Sequence, residues 1–351
     1  MKVENFQAML AEIQRERGIP KEALIEAIKA SLLSAAKKIF KEEEHPLLDA
    51  QITDEGSFKI VKKDEDGKEK DVTPKDFGRI AAQTAKQVII QRIREAEKEE
   101  IYEEFVKKQG QIINGIVQRA EYGGYLVNIG KIETVLSAAE QIPGEYLAEK
   151  ERVKLYVVEV RKATKGPQVI ISRAHAGLVK KLFEMEIPEI ADGTLEIKGI
   201  AREPGRRTKI AIQSHDEKVG AVGTCVGHMG ARIQNIIKEL GQERVDIIEW
   251  KEKPAAFITA ALSPAKIASI EINEEQKTAK VYVPENDLSL AIGKEGQNVR
   301  LAVKLTGWKI DIMSEEEVKR RQQKAEEGKE EVVEVKEEKN EGEPEGETEK
   351  E

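Results

Sequence analysis

Two glycines three positions apart, Gly227 and Gly230 in the stretch CVGHMGARI, stand between a short apolar run and an amphipathic helical pattern. Gly293 and Gly296 stand in AIGKEGQNV in the same way, at an offset of 66 residues. With no Cβ at either end, such a loop lets a sugar–phosphate backbone lie against it. The free N–H groups of the helix that follows then favour the phosphate. A loop that only reversed the chain would tolerate Asn, Asp or Ser at either position. One pair is explained equally well by a plain helix junction; two pairs in register are not. The offset persists through Lys238 and Lys304 and the helix-ending Gly241 and Gly307.

The residues around the loops define a candidate polyanion surface. In the first loop His228 and Met229 bring little charge, so Arg232, one turn into the helix, is the nearest fixed cation. The second loop carries Lys294, opposed by its neighbour Glu295. Gln297, Asn298 and Arg300 open the next helix, where they read as base-edge or phosphate contacts; a solvated helix face is the competing reading of Arg300. Arg202, Arg206 and Arg207 in AREPGRR form a basic cluster at an expected hairpin tip, where charge also occurs simply because tips are wet. Val226, Ile233, Ile292 and Val299 flank the loops as core residues first, with a floor under bases as a second use.

Other chemistries are poorly represented. The four histidines are scattered, with no HExxH and no pair at metal-ligand spacing, and a lone cysteine excludes a disulfide framework and cysteine zinc sites. GGYLVNIGKIE has a Gly-Lys but neither the spacing nor the Ser/Thr of a nucleotide-binding P-loop. The net charge of −8 is concentrated: residues 314–351 hold 16 acidic against 8 basic residues, leaving 50 of each elsewhere. Residues 199–313 are slightly basic, 17 against 15, so an acidic average does not argue against a polyanion partner. The acidic tail predicts disorder. No apolar run of membrane length and no signal-peptide pattern are present, which predicts a soluble, cytoplasmic, non-enzymatic protein needing no cofactor.

The elements that must hold these loops follow from periodicity. Residues 5–43 read as helices broken at Gly18-Ile19-Pro20; strands follow at AQIT and SFKIVKK, with a turn at Asp66-Gly67. Residues 77–109 read as one long helix, stopped by Gly110, whose Glu-rich end should project into solvent. About five short alternating strands then occupy residues 109–174, a pattern of a small OB-like barrel. Its candidate base-stacking aromatics are Tyr122, Tyr125, Tyr146 and Tyr156, with Tyr125 alternating toward the core. From His175 the order α-β-β-α-α-β occurs twice, each time with the glycine pair between the last two helices.

Within such a repeated unit the loop is similar to the nucleotide clamp of KH modules. Four stretches together, FGRIAAQTAKQVIIQRIREAE, EIKGIAREPGRRTKIAI, VGTCVGHMGARIQNIIKELGQERVDIIEW and LAIGKEGQNVRLAVKLTGW, resemble the bacterial NusA family of transcription elongation, termination and antitermination factors. The resemblance covers roughly residues 1–313 and implies a multidomain α+β chain. Its parts would be an α/β N-terminal polymerase-binding domain (1–108), an S1-type OB-fold (109–174), two tandem type II KH domains (175–252 and 253–313) and an acidic tail (314–351). It also implies docking on core RNA polymerase at the β-subunit flap by the RNA exit region, binding of nascent single-stranded RNA, company of other antitermination factors, and action as a monomer. Arg79 and Lys86, two helical turns apart, would share a basic face toward polymerase or emerging RNA; an ordinary solvated face is the alternative. The family's additional C-terminal acidic-repeat domains are not matched. Polynucleotide phosphorylase also combines S1 and KH domains, but in the reverse order and on a catalytic core; a ribosome-associated RNA binder is the further alternative.

Overall fold

The computed structural model of the protein describes residues 6–41, 45, 47–53, 56–63, 68–75 and 77–316. The expected turn at Asp66-Gly67 and the tail beyond Glu316 lie outside them. The chain forms two compact units, Met1–Gln109 with Glu159–Val169, and Gly110–Val158 with Ile170–Glu351.

In the first unit α1 (Phe6–Arg17) and α2 (Lys21–Lys37) flank the expected break at Gly18. The strands β1 (Leu48–Ile52), β2 (Phe58–Lys63) and β3 (Glu69–Asp71) form an antiparallel sheet in that order. The long helix α3 (Phe77–Lys107) packs on α2 through residues spaced four apart: Phe77, Ala81, Ala85 and Ile89 against Leu24, Ile28, Leu32 and Ala36. That spacing is one helical face, and it leaves Arg79 and Lys86 exposed on another.

Five strands follow: β4 (Ile112–Glu121), β5 (Gly124–Asn128), β6 (Glu133–Ser137), β7 (Arg152–Ala163) and β8 (Gly166–Ser172). They form one nearly closed barrel sheet in the order β6-β5-β4-β7-β8. Val153, Leu155 and Val157 alternate inward along β7, the period-two signature of a strand with one buried side. The tip of the β7–β8 hairpin groups with the first unit. There Lys162 pairs with Glu99 of α3 at 2.6 Å and lies 4.6 Å above the ring of Tyr102, while Lys98 donates to the Thr164 carbonyl at 3.5 Å. The glutamates at this end of α3 (Glu99, Glu100, Glu103) remain exposed, while Tyr102 and Lys98 on its other side meet the hairpin tip.

The second unit then contains two α/β repeats. The first runs α4 (Ala176–Glu186), α5 (Pro188–Ala191), β9 (Leu195–Glu203), β10 (Arg207–Ser214), α6 (Ala221–Val226), α7 (Ala231–Glu239), β11 (Arg244–Glu249). The second runs α8 (Pro254–Ala261), β12 (Ser269–Asn273), β13 (Thr278–Val283), α9 (Glu285–Ile292), α10 (Gln297–Thr306), β14 (Lys309–Ser314). Each sheet has one antiparallel hairpin and one parallel strand, β9–β10–β11 and β12–β13–β14. Only α5, a single turn opened by Pro188, has no counterpart in the second repeat.

The two sheets differ in one way that shapes the site. In β13 only alternate residues are buried (Ala279, Val281, Val283), so that sheet has one open face. In β10 five consecutive residues, Thr208 to Ile212, are buried, because α10 of the second repeat packs on β9 and β10. The repeats are thereby joined face to helix. At the other end Arg173 joins the barrel to the first repeat: it is 4% exposed and donates to Glu145, to Glu239, and to the carbonyls of Lys154 and Glu239. Beside it the rings of Tyr156 and His175 stack at 4.9 Å.

Candidate nucleic-acid interface

The two glycine loops have the same backbone. Gly227 has φ/ψ of 75/178° and Gly293 75/168°; Met229 and Glu295 are left-handed at 50/25° and 56/25°; Gly230 and Gly296 are left-handed at 78/11° and 73/15°. The conformation of the first glycine is essentially closed to any residue with a Cβ. A Cβ on Gly293 would also stand 2.8 Å from the Asn298 backbone nitrogen, and one on Gly227 2.9 Å from Arg232 Cγ. The second glycine differs: a Cβ on Gly296 meets nothing within 4 Å, and one on Gly230 only Ile233 Cγ2 at 3.9 Å. So the first glycine of each pair serves fold and packing, and only the second opens toward solvent. No side chain caps α7 or α10; the first N–H of each helix is taken by a loop carbonyl (Ala231 by His228, Gln297 by Lys294).

The structure moves two candidate residues out of the surface. Arg202 is buried, its side chain 2% exposed, and its guanidinium pairs with the fully buried Glu243 at 2.9 Å while donating to the carbonyls of Arg173 and His175. Glu243 also accepts from Thr208 and the Gly205 amide, which completes the shell a buried carboxylate requires. Arg202 is thus a structural ion pair and not a hairpin-tip cation. Asn298 is fully buried, and its amide donates to the carbonyls of Leu262, Leu290 and Ala291, closing the end of α9 against α8. Its side chain cannot read a base edge.

The remaining candidates stay near the surface, and most carry acidic partners. Arg232 donates to Glu189 at 2.9 Å and to the Thr224 carbonyl at 2.9 Å. Arg207 shares Asp246 with the buried Lys209, at 2.7 and 3.3 Å. Gln297 and Arg300 both donate to Glu203 of β9, at 2.8 and 2.6 Å; the bond from Arg300 leads in holding the Glu203 carboxyl below the usual range. Arg206 reaches Glu295 at 3.0 Å. Lys294 is exposed and has no ion-pair partner among the described residues, and the same holds for Arg244. His228 and Met229 are exposed, Met229 by 92%.

Of these side chains Arg206, Arg207, Arg244, Lys294, Glu295 and Gln297 line a groove of ≈580 Å³ between the β9–β10 hairpin and the second loop, whereas His228, Met229 and Arg232 of the first loop and Arg300 do not. Four cations line it, Arg206, Arg207, Arg244 and Lys294, with Glu295 the carboxylate among them and Leu290 and Pro264 as apolar wall. Sequence reasoning missed Arg244, Glu203 and Asp246. A basic residue opening a strand beside AREPGRR was a weak available signal for the first; nothing in local spacing pointed to the other two. Among the described residues no cluster of His, Cys, Asp or Glu is placed to hold a metal ion, and Cys225 is buried, its thiol pushed up to about 12 by that burial.

Comparison with known proteins gives the repeats their identity. Residues 5–65 and 59–99 match the NusA N-terminal domain, 107–172 the S1 RNA binding domain, 173–250 the NusA-like first KH domain and 254–320 the NusA-like second KH domain. The chain is 46% identical over 339 residues to the transcription termination/antitermination protein NusA of Halalkalibacterium halodurans, covering 89% of this chain and 88% of that protein. It is 46% identical over 333 residues to that of Bacillus subtilis, covering 87% and 90%. The chain belongs to the NusA family. To the NusA of Mycobacterium tuberculosis H37Rv it is 44% identical, over 87% of this chain and 92% of that protein.

In NusA terms the groove lies where the hairpin of the first KH domain faces the clamp loop of the second. The S1 barrel contributes two strongly exposed aromatics, Tyr122 and Tyr146. Of the other two tyrosines, Tyr125 is half-buried and accepts from the Leu147 amide, and Tyr156 is the ring stacked on His175. In the NusA N-terminal domain Arg79 and Lys86 share their exposed side of α3 with Ile80 and Ile90. No helix of the described residues is long and apolar enough to cross a membrane.

Proposed function

We propose that the protein is a non-enzymatic, monomeric transcription factor that holds nascent single-stranded RNA on its tandem KH surface while its N-terminal domain contacts core RNA polymerase near the RNA exit channel, at the β flap. In this way it changes pausing, termination and antitermination. The observation that carries the reading is the pair of conformationally identical glycine loops, each opening a helix that no side chain caps and each bare of side chain at its second glycine. On this reading the domains run 1–108, 109–174, 175–252 and 253–313, followed by the acidic tail 314–351. The RNA-contacting set is Gly227, His228, Met229, Gly230 and Arg232 in the first loop, Gly293, Lys294, Glu295, Gly296, Gln297 and Arg300 in the second, with Arg206 and Arg207 between them. Arg79 and Lys86 form the polymerase-facing patch.

The mechanism is bivalency. Anchoring one domain at the exit channel raises the local concentration of the RNA surface around the emerging transcript, so weak contacts in series suffice. The fixed joints at Arg173 and α10 keep those contacts in register.

The experiment is titration of labelled single-stranded RNA with the full chain and with Gly230→Asp plus Gly296→Asp. Aspartate tolerates the left-handed backbone, so the substitutions place two carboxylates on the open side of the loops while leaving the fold intact. The expected loss is roughly tenfold or more, with wild-type binding weakening between about 50 and 200 mM salt. Equal affinity of the two chains would refute the reading.

A further inference from the structure

Most cations of a surface built for phosphates already hold carboxylates. For Arg232, Arg207 and Arg300 the acidic partner belongs to the fold: Glu189, Asp246 and Glu203 are partly buried and lie on helices or strands beneath the loops. Glu295 is different. It stands in the clamp loop of the second KH domain, 60% exposed, and reaches across the groove to Arg206 of the first, 62% exposed, at 3.0 Å.

The loop backbone cannot follow that side chain. Glu295 is left-handed between two glycines, and its carbonyl accepts from Arg300 Nη1 at 3.2 Å. Arg300 is in turn pinned by Glu203, which also holds Gln297. Only the Glu295 side chain needs to rotate for Arg206 to be released. When it does, Arg206 faces a groove with Arg207, Arg244 and Lys294 on its walls and no other carboxylate lining it. The equivalent residue of the first loop is Met229, at the same backbone angles and uncharged. The device therefore exists in one clamp only.

We propose that Glu295 is a built-in phosphate mimic. Its carboxylate occupies Arg206 in the free protein and is displaced by an internucleotide phosphate of the strand that crosses from the first KH domain to the second. This rests on the reading of the KH pair as an RNA binder. An exposed pair of this kind is weak, so Glu295 tunes affinity without abolishing it. It makes the second clamp engage only when a strand is long enough to bring a phosphate into the groove.

The test uses the full chain and a labelled single-stranded oligoadenylate long enough to span both KH domains, titrated by anisotropy at several salt concentrations. The chains are wild type, Glu295→Gln, Arg206→Gln and the double variant. Glu295→Gln should bind about threefold to fivefold tighter at low salt. Its log–log salt slope should steepen by about 0.7, the value for one more neutralised phosphate on a single strand. In the Arg206→Gln background the same substitution should change affinity less than twofold. No tightening by Glu295→Gln would overturn the proposal. So would equal tightening with and without Arg206, which would make Glu295 a general repulsive charge. Failure of wild type to bind the RNA at all is a different result: it overturns the RNA reading, and this proposal with it.

Discussion

The unequal duties of the two glycines in each clamp can be separated by the same small substitution. Gly293→Ala forces a side chain into φ/ψ of 75/168°, a region that costs about 1–3 kcal/mol. Its Cβ would also stand 2.8 Å from both the nitrogen and the Cβ of Asn298. The first turn of α10 must therefore move, and with it the buried amide that serves three carbonyls, a loss of about 1 kcal/mol or more. Together these give roughly 3 kcal/mol. At about 2–4 °C per kcal/mol if the whole second unit, Gly110–Val158 with Ile170–Glu351, unfolds together, the unfolding transition should fall by roughly 6–12 °C. Gly296→Ala places its methyl in open space and carries only the left-handed penalty of about 1 kcal/mol, a fall of about 2–4 °C. Differential scanning calorimetry of the two full-length variants beside wild type measures both. Equal shifts, or a larger shift for Gly296→Ala, would refute the assignment of fold to the first glycine and access to the second.

Removing one partner of the buried Arg202–Glu243 pair leaves an uncompensated charge with 0% exposure, so Arg202→Met should destabilise the second unit by about 3–5 kcal/mol in urea unfolding; a cost near zero would return Arg202 to the surface set. Lys209 is buried against Ser263 and Asp246, and burial lowers its pKa to about 8. A lysine shifted down penalises the fold below that value, and the penalty lifts as pH rises toward the ordinary 10.5. Wild type should therefore gain about 2 kcal/mol over Lys209→Met between about pH 7.5 and 9.5, and a difference independent of pH would show that the lysine titrates normally.

The glycine repeat was legible because the conformation of the first glycine of each pair excludes other residues and the second is left-handed, where glycine carries no penalty, so the loop is written the same way twice. The helix and strand order of both KH units was legible for a related reason: Leu178, Leu182 and Phe183 or Ala279, Val281 and Val283 each bury one face, and that imposes a period. Long-range pairing left no such mark. Arg202 reads as one of three similar arginines until Glu243, 41 residues away, takes it into the interior. Asn298 reads as a polar residue opening a helix, where amides commonly face solvent, yet it is turned inward by three carbonyl ends. Lys209 sits in the strand RTKIAIQS, whose alternation predicts an outward lysine. That face is covered by α10 of the second KH domain, a fact that belongs to the packing of two repeats and to neither alone. The carboxylates that neutralise the clamp cations escaped notice for the same reason, since Glu203 meets Arg300 across 97 positions.

The central claim is that one molecule links polymerase to emerging RNA, and single-round transcription through a hairpin pause site tests it most directly. Deleting residues 1–105 is a poor perturbation, because it strips Glu99 and Tyr102 from Lys162 of the β7–β8 hairpin. Charge reversal is cleaner: Arg79→Glu plus Lys86→Glu on the exposed side of α3, and Gly230→Asp plus Gly296→Asp in the clamps. Wild type should alter the pause lifetime, and each double variant should lose most of that effect. Wild-type behaviour from both double variants would contradict the account.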